Sequence, residues 1–167
     1  MRRLKDFIKL AGGCVLVPFF VLGMLATALR PRPLRSHMRI LYYHAVPDES
    51  ALSFQRQMRL LARLTTVVDA AVSTPVRSRR PLYAITFDDA FRSVRDNALP
   101  VLERMAFHAT IFAPCGNLGD SPGWEMESTA CDKDEVVMTE AELKHIVSPS
   151  VTIGSHTVSH PHLSALP

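Results

Sequence analysis

Five short runs of strand-type residues alternate with helical patterns, and this alternation is the strongest constraint on the fold. The runs are rich in β-branched and aromatic residues and span residues 39–43, 66–68, 82–87, 109–113 and 151–154. Strands that are separated by helices need crossover connections, and such strands form parallel sheets. The pattern therefore predicts an α/β fold in which the carboxyl ends of the strands share one rim, where ligand sites form.

Apolar residues at helical spacing mark the segments between these runs. Residues 53–64 place apolar side chains on one face and predict an amphipathic helix. A second helical face spans residues 94–105, and Pro100 is expected to begin a new turn within it. Thr139 and Glu142 form a capping-box pattern for a third helix that runs through Val147. Residues 114–138 contain Gly and Pro and are predicted to form a long loop.

The N-terminal segment has the composition of a membrane span. Residues 10–29 carry no charge and follow a basic start. A helix of that length, rising about 1.5 Å per residue, crosses a hydrocarbon core of roughly 30 Å. We therefore expect residues 1–30 to form an anchor, with a cleaved signal peptide or a buried soluble helix as alternatives. The expected location is the cell membrane, with residues 31–38 as a linker and the following domain extracytoplasmic, although basic residues on both flanks leave the orientation open.

Charge and cysteine content add weaker constraints. The net charge of +3 arises from the basic flanks of the apolar segment, so no nucleic-acid-binding face is expected. Cys115 and Cys131 lie in the polar loop and could pair if the chain is exported. The absence of a CxxC motif in the sequence gives no support to a zinc ribbon. The oligomeric state is left undetermined.

Acidic and imidazole side chains follow two of the predicted strands. Asp88 and Asp89 come directly after residues 82–87, and His156 and His160 follow residues 151–154. Two neutral imidazoles and one carboxylate are a common ligand set for a catalytic Zn²⁺-type ion, and a second carboxylate can then act as general base. The spacing does not decide which acid has which role, and solvated or capping roles for both pairs remain open.

The sequence also resembles a known family. TFDDAFRSVRDNALPVLERMAFHATIFAP, MTEAEL and IGSHTVSHPHLSAL, with LYYHAVPDES before them, resemble the NodB-homology polysaccharide deacetylases of carbohydrate esterase family 4. The resemblance covers residues 39–167 and implies the N-terminal part of a distorted (β/α) barrel that removes acetyl groups from N-acetylated glycans. It also implies a divalent metal ion, expected to be Zn²⁺. By that pattern Asp88 matches the general base, and the metal ligands are matched by Asp89, His156 and His160.

The chain departs from the family pattern in two places. Ala90 replaces the glycine of the usual TFDDG motif, which matters if the backbone φ is positive there. The later family motifs supply an arginine that orients the base, groove walls and a histidine acting as general acid, and these follow the HxxxH segment. His44 and His162 are weak substitutes for that acid. The hypotheses are a membrane-anchored deacetylase with an incomplete domain over residues 39–167 or, alternatively, a catalytically inactive, membrane-tethered glycan-binding remnant.

Overall fold

Strands and helices alternate along the described part of the chain. The computed structural model describes residues 37–72, 76–126, 132–162, 164 and 166. The elements in chain order are β1 (Met38–Tyr43), α1 (Asp48–Leu64), β2 (Thr66–Val67), β3 (Leu82–Phe87), α2 (Leu99–Arg104), β4 (Ala109–Ala113), α3 (Glu140–Ile146) and β5 (Val151–Ser155). A π-type turn, Val94–Ala98, precedes α2, and a 3₁₀ turn, Cys115–Asn117, follows β4.

The strands form one parallel sheet with β3 at its centre. β3 pairs with β1 along its whole length. On the other edge of β3, the first two residues pair with β2 and the last two pair with β4. β5 then pairs with β4 in register from Val151 to Ser155. The predicted parallel α/β fold is confirmed, and the carboxyl ends of β1, β3, β4 and β5 meet at one rim.

The helices pack against one face of this sheet. Ile85 and Phe87 of β3 belong to the main hydrophobic core together with Phe54 and Met58 of α1. The Phe54 and Phe87 rings lie 6.0 Å apart between centroids. Ala84, the residue directly before Ile85, is buried but lies outside that core cluster. Alternate residues of a strand point to opposite faces, so helix α1 covers the face that carries Ile85 and Phe87.

The predicted boundaries agree closely with the observed ones except at the first helix. The structure starts α1 at Asp48, ahead of the predicted residue 53. The added first turn carries Asp48 and Glu49, which suit a helix N-terminus but show no apolar periodicity. The capping box is confirmed, since the Thr139 hydroxyl accepts from the Glu142 amide at 3.2 Å and the Glu142 carboxylate accepts from the Thr139 amide at 2.7 Å.

Three predictions concern segments outside the described residues. Residues 1–36 hold the predicted anchor and most of the predicted linker, and they lie outside the described residues. Within the part of the chain that the structure describes, no helix has the length and apolarity needed to cross a bilayer. Cys131 also lies outside the described residues, so its pairing with Cys115 stays a prediction.

Candidate metal centre

Asp89 lies in the turn that follows β3, and this turn is tied to segments on both sides. The Asp88 amide donates to the Tyr43 carbonyl at the end of β1, at 2.8 Å. The Met138 amide donates to the Ala90 carbonyl at 2.9 Å. Asp89 itself has a φ of +66° and a side chain that is only 2% exposed. The two backbone hydrogen bonds hold Asp89 in a left-handed turn, and its carboxylate is buried there.

His156 and His160 lie in a loop that is bound to the end of β4. The His156 amide donates to the Ala113 carbonyl at 3.0 Å, and the Gly116 amide donates to the Val158 carbonyl at 2.8 Å. A Cβ atom at position 116 would lie 2.5 Å from that Val158 oxygen, so only glycine permits this approach. The loop after β5 is therefore fixed to the segment after β4.

The backbone between the two histidines turns sharply. Thr157 and His160 have φ values of +68° and +50°. The His160 amide donates to the Thr157 hydroxyl at 3.0 Å, which closes the turn. The result confirms that the HxxxH segment forms a tight loop, and the two imidazoles converge.

The three predicted ligand side chains meet at the rim. Asp89 Oδ1 lies 3.5 Å from His156 Nε2 and 3.3 Å from His160 Nε2, and the two Nε2 atoms are 3.0 Å apart. One ligand atom from each residue lies within 4.8 Å of the others. Strands β3 and β5 are separated by β4, so the convergence depends on the fold rather than on sequence proximity.

Burial and neighbouring charges act on the Asp89 carboxyl in opposite directions. Burial raises the pKa of the Asp89 carboxyl; the neighbouring His160, His44 and His156 lower that pKa, and Asp88 raises it further. Asp89 Oδ1 is buried without a hydrogen-bond partner, and its contacts with the imidazoles are ion pairs only if those rings are protonated. A buried carboxylate oxygen without a donor is costly. One carboxylate and two imidazoles fit a divalent ion such as Zn²⁺.

The remaining polar groups considered from the sequence occupy different places. Asp88 is half-buried beside Asp89, and no hydrogen bond to its carboxylate occurs among the described residues. His44 is exposed at the end of β1 and lies close enough to act on the Asp89 pKa. His162 is exposed and is not a member of the ligand cluster. Of the two substitute acids, the structure brings only His44 into electrostatic contact with the site.

An aromatic residue that sequence reasoning missed also lies at the site. The Trp124 ring stacks on the His160 imidazole with centroids 4.6 Å apart and an interplanar angle of 29°. Its position in the long loop gave no periodic signal. The only available hint was that it is the single tryptophan of the chain.

Comparison with known proteins assigns the family. Residues 76–167, more than half of the chain, match the family model for polysaccharide deacetylase. The chain therefore belongs to the polysaccharide deacetylase family.

A curated relative is similar in sequence, and two solved structures share the fold. YxkH of Bacillus subtilis (strain 168), a protein assigned to the polysaccharide deacetylases, is 27% identical over 138 residues, which cover 76% of this chain and 44% of that protein. IcaB from Ammonifex degensii has a TM-score of 0.60 at 22% identity, over 73% of this chain and 53% of its own. Streptococcus pyogenes deacetylase PplD, in complex with acetate, has a TM-score of 0.57 at 22% identity, over 78% of this chain and 60% of its own. The chain thus spans about half the length of the proteins it matches.

Proposed function

We propose that this chain carries the metal site and the general base of a deacetylase that removes N-acetyl groups from a polysaccharide in a metal-dependent reaction. The observation that carries the proposal is the buried, unpartnered Asp89 Oδ1, which faces the Nε2 atoms of His156 and His160. Membership of the polysaccharide deacetylase family supports an N-acetylated glycan as the substrate. The presence of acetate on PplD agrees with the same reaction class.

The residues at the rim have separate roles in this proposal. Asp89, His156 and His160 hold the divalent ion, with Zn²⁺ as the best candidate. When bound, such an ion polarises the acetyl carbonyl and acidifies water. Asp88 takes the proton from the attacking water, because its carboxylate lies beside Asp89 and accepts no hydrogen bond among the described residues. The amide C–N bond then breaks, the proton held by Asp88 passes to the nitrogen through solvent, and the products are acetate and a free amine on the sugar.

We also propose the finer architecture and the location of the chain. The parallel sheet, with helices on one face and its ligand site at the carboxyl rim, supports the N-terminal part of a distorted (β/α) barrel. The uncharged run of residues 10–29 supports a single membrane span, with the deacetylase domain outside the cytoplasm.

The test is acetate release from N-acetylglucosamine oligomers by the full chain. We expect a chelator to abolish release and Zn²⁺ to restore it. His156→Ala and His160→Ala each remove a proposed ligand. Substitution of a residue that only supports a ligand typically weakens metal binding by about 10- to 100-fold, and each of these two variants should weaken Zn²⁺ binding by more than that. Asp88→Asn should retain Zn²⁺ and lose about 10²–10⁴ in rate, because only the proton transfer is removed.

His145→Ala is the matched control, since this exposed histidine of α3 is not a member of the ligand cluster. Unchanged Zn²⁺ affinity in the His156 and His160 variants would contradict the ligand assignment. Binding of Zn²⁺ and oligomer without any acetate release would instead support the inactive, glycan-binding alternative.

A further inference from the structure

The His160 ring has unusually few restraints for a metal ligand. The ring is 31% exposed. Among the described residues it contacts Asp89, His156 and Trp124, and no hydrogen bond involves its second ring nitrogen. Metal-binding histidines are normally oriented by such a bond from the second nitrogen to a carbonyl or carboxylate. Another contact must therefore hold the plane of this imidazole.

Trp124 makes that contact and is itself connected to the core. Its ring stacks on His160 at 4.6 Å, and it also packs against Phe91 with centroids 6.3 Å apart and an angle of 27°. Phe91 is completely buried and belongs to the main core cluster. A continuous aromatic contact thus runs from the core, through Phe91 and Trp124, to the His160 ring.

We propose that Trp124 is a positioning residue that holds the His160 imidazole so that Nε2 stays directed at Asp89 Oδ1. This inference rests on the proposed metal site and extends it to the loop between β4 and α3. Stacking supplies the orientation that a hydrogen bond to the second ring nitrogen supplies in other sites. The loop that carries Trp124 thereby contributes to metal affinity without contributing a ligand.

A different role for Trp124 would have a different signature. Aromatic rings at glycan sites can bind a sugar ring directly. A sugar-binding Trp124 would affect the KM for the oligomer and leave Zn²⁺ affinity unchanged. A positioning Trp124 affects Zn²⁺ affinity in the absence of any glycan, so binding of the metal alone separates the two roles.

The experiment measures Zn²⁺ affinity of the full chain by competition with a chromophoric chelator. We expect Trp124→Leu to weaken binding by about 10-fold, in the range found for residues that support ligands. Trp124→Phe keeps a ring that can stack and should remain within about 3-fold of the parent chain. Tyr83→Leu is the control, because it removes a partly buried ring near the amino end of β3, away from the rim.

The parent chain provides a second readout that needs no change at position 124. Trp124 is the only tryptophan, so the intrinsic tryptophan emission reports on it alone. We expect Zn²⁺ to change this emission in the parent chain and to leave it unchanged in His160→Ala. If the parent chain binds no Zn²⁺, the proposed function itself fails. If it binds Zn²⁺ but the emission does not change, or if Trp124→Leu keeps full affinity, the positioning role is overturned and the metal site stands.

Discussion

Left-handed backbone conformations at non-glycine residues gather around the candidate site. Asp89, Ala90, Thr157 and His160 all have φ between +50° and +68°. Such conformations cost roughly 1–2 kcal/mol each for residues with a Cβ atom. Strain of this kind persists only where the surrounding structure enforces it, and it is concentrated at functional sites. The hydrogen bonds to Tyr43, Ala113 and Met138 at the rim are the contacts that enforce it here.

Ala90 offers a direct test of this strain. Its φ is +53° and its methyl group is fully buried. Ala90→Gly should relieve about 1 kcal/mol of strain and lose about 0.8 kcal/mol of methyl burial, leaving stability unchanged or slightly raised. Ala84→Gly, a buried position in the extended β3, should lower stability by about 1–2 kcal/mol. Urea unfolding of both variants checks the difference, and equal losses would show that position 90 is not strained.

Sequence reasoning brought the three candidate ligand side chains together at one rim, as the structure does, but it missed the contacts around them. Asp89, His156 and His160 could be placed together because each follows a predicted strand of a parallel sheet. The positive φ of Ala90 was not predictable, because alanine has no preference for the left-handed region. Trp124 was missed because the path of a long loop is determined by tertiary packing and leaves no periodic pattern.

At the scale of elements, the Glu142 side chain connects α3 to Arg92 and Arg95, which lie before and within the π-type turn Val94–Ala98. Its carboxylate accepts from the Thr139 amide at 2.7 Å and from Arg92 Nε at 3.0 Å, and it forms an ion pair with Arg95. The hydrogen bond from the Thr139 amide is the main cause that lowers the Glu142 pKa to about 2. The capping box was evident from Thr139 and Glu142, whereas the two arginines are too distant in sequence to be predicted as partners.

The lowered pKa gives stability a specific pH dependence. The folded pKa of Glu142 is about 2 and its ordinary value is 4.5, so its contribution is complete above pH 4.5 and is lost as the pH falls towards 2. We expect Glu142→Gln to cost on the order of 2 kcal/mol at pH 7, allowing for the partial exposure of the carboxylate, and less at low pH.

Thermal unfolding of the parent chain and the Glu142 variant between pH 7 and pH 3 measures this difference. Glu140→Gln is the control, because Glu140 forms only an exposed ion pair with Lys144 and should contribute far less. A stability difference between the parent chain and Glu142→Gln that does not shrink at low pH would exclude the ionised carboxylate as its source.

For the whole molecule, the alternating pattern was sufficient for the fold class but not for the order of the strands. The parallel sheet followed from strands that alternate with helices. The order β1–β3–β4–β5, with β2 beside the amino half of β3, did not follow, because hydrophobic periodicity does not encode which strands are neighbours. β2 has only two residues, so it leaves the rest of that edge of β3 to β4.

The proposed anchor makes a prediction about the intact chain. If residues 1–30 form an uncleaved span, the full-length chain should stay in the membrane pellet after alkaline extraction and be released by detergent. External protease should digest the domain if it lies outside the cytoplasm. Release of a shortened chain in soluble form would support the cleaved signal instead, and protection from external protease would contradict the proposed orientation.

Strand β4 supplies none of the ligands, yet it determines whether they can meet. Neighbouring strands lie about 4.8 Å apart, so β4 separates the end of β3 from the end of β5 by two such intervals. Its Phe112 ring lies against Gly154 of β5, where a Cβ atom would be 2.5 Å away. A methyl group at position 154 fits only if the Phe112 ring or the strand moves, and a displacement of β5 would carry His156 away from Asp89. A substitution that changes the spacing between β4 and β5 can therefore disrupt the candidate site even though Asp89, His156 and His160 are all still present.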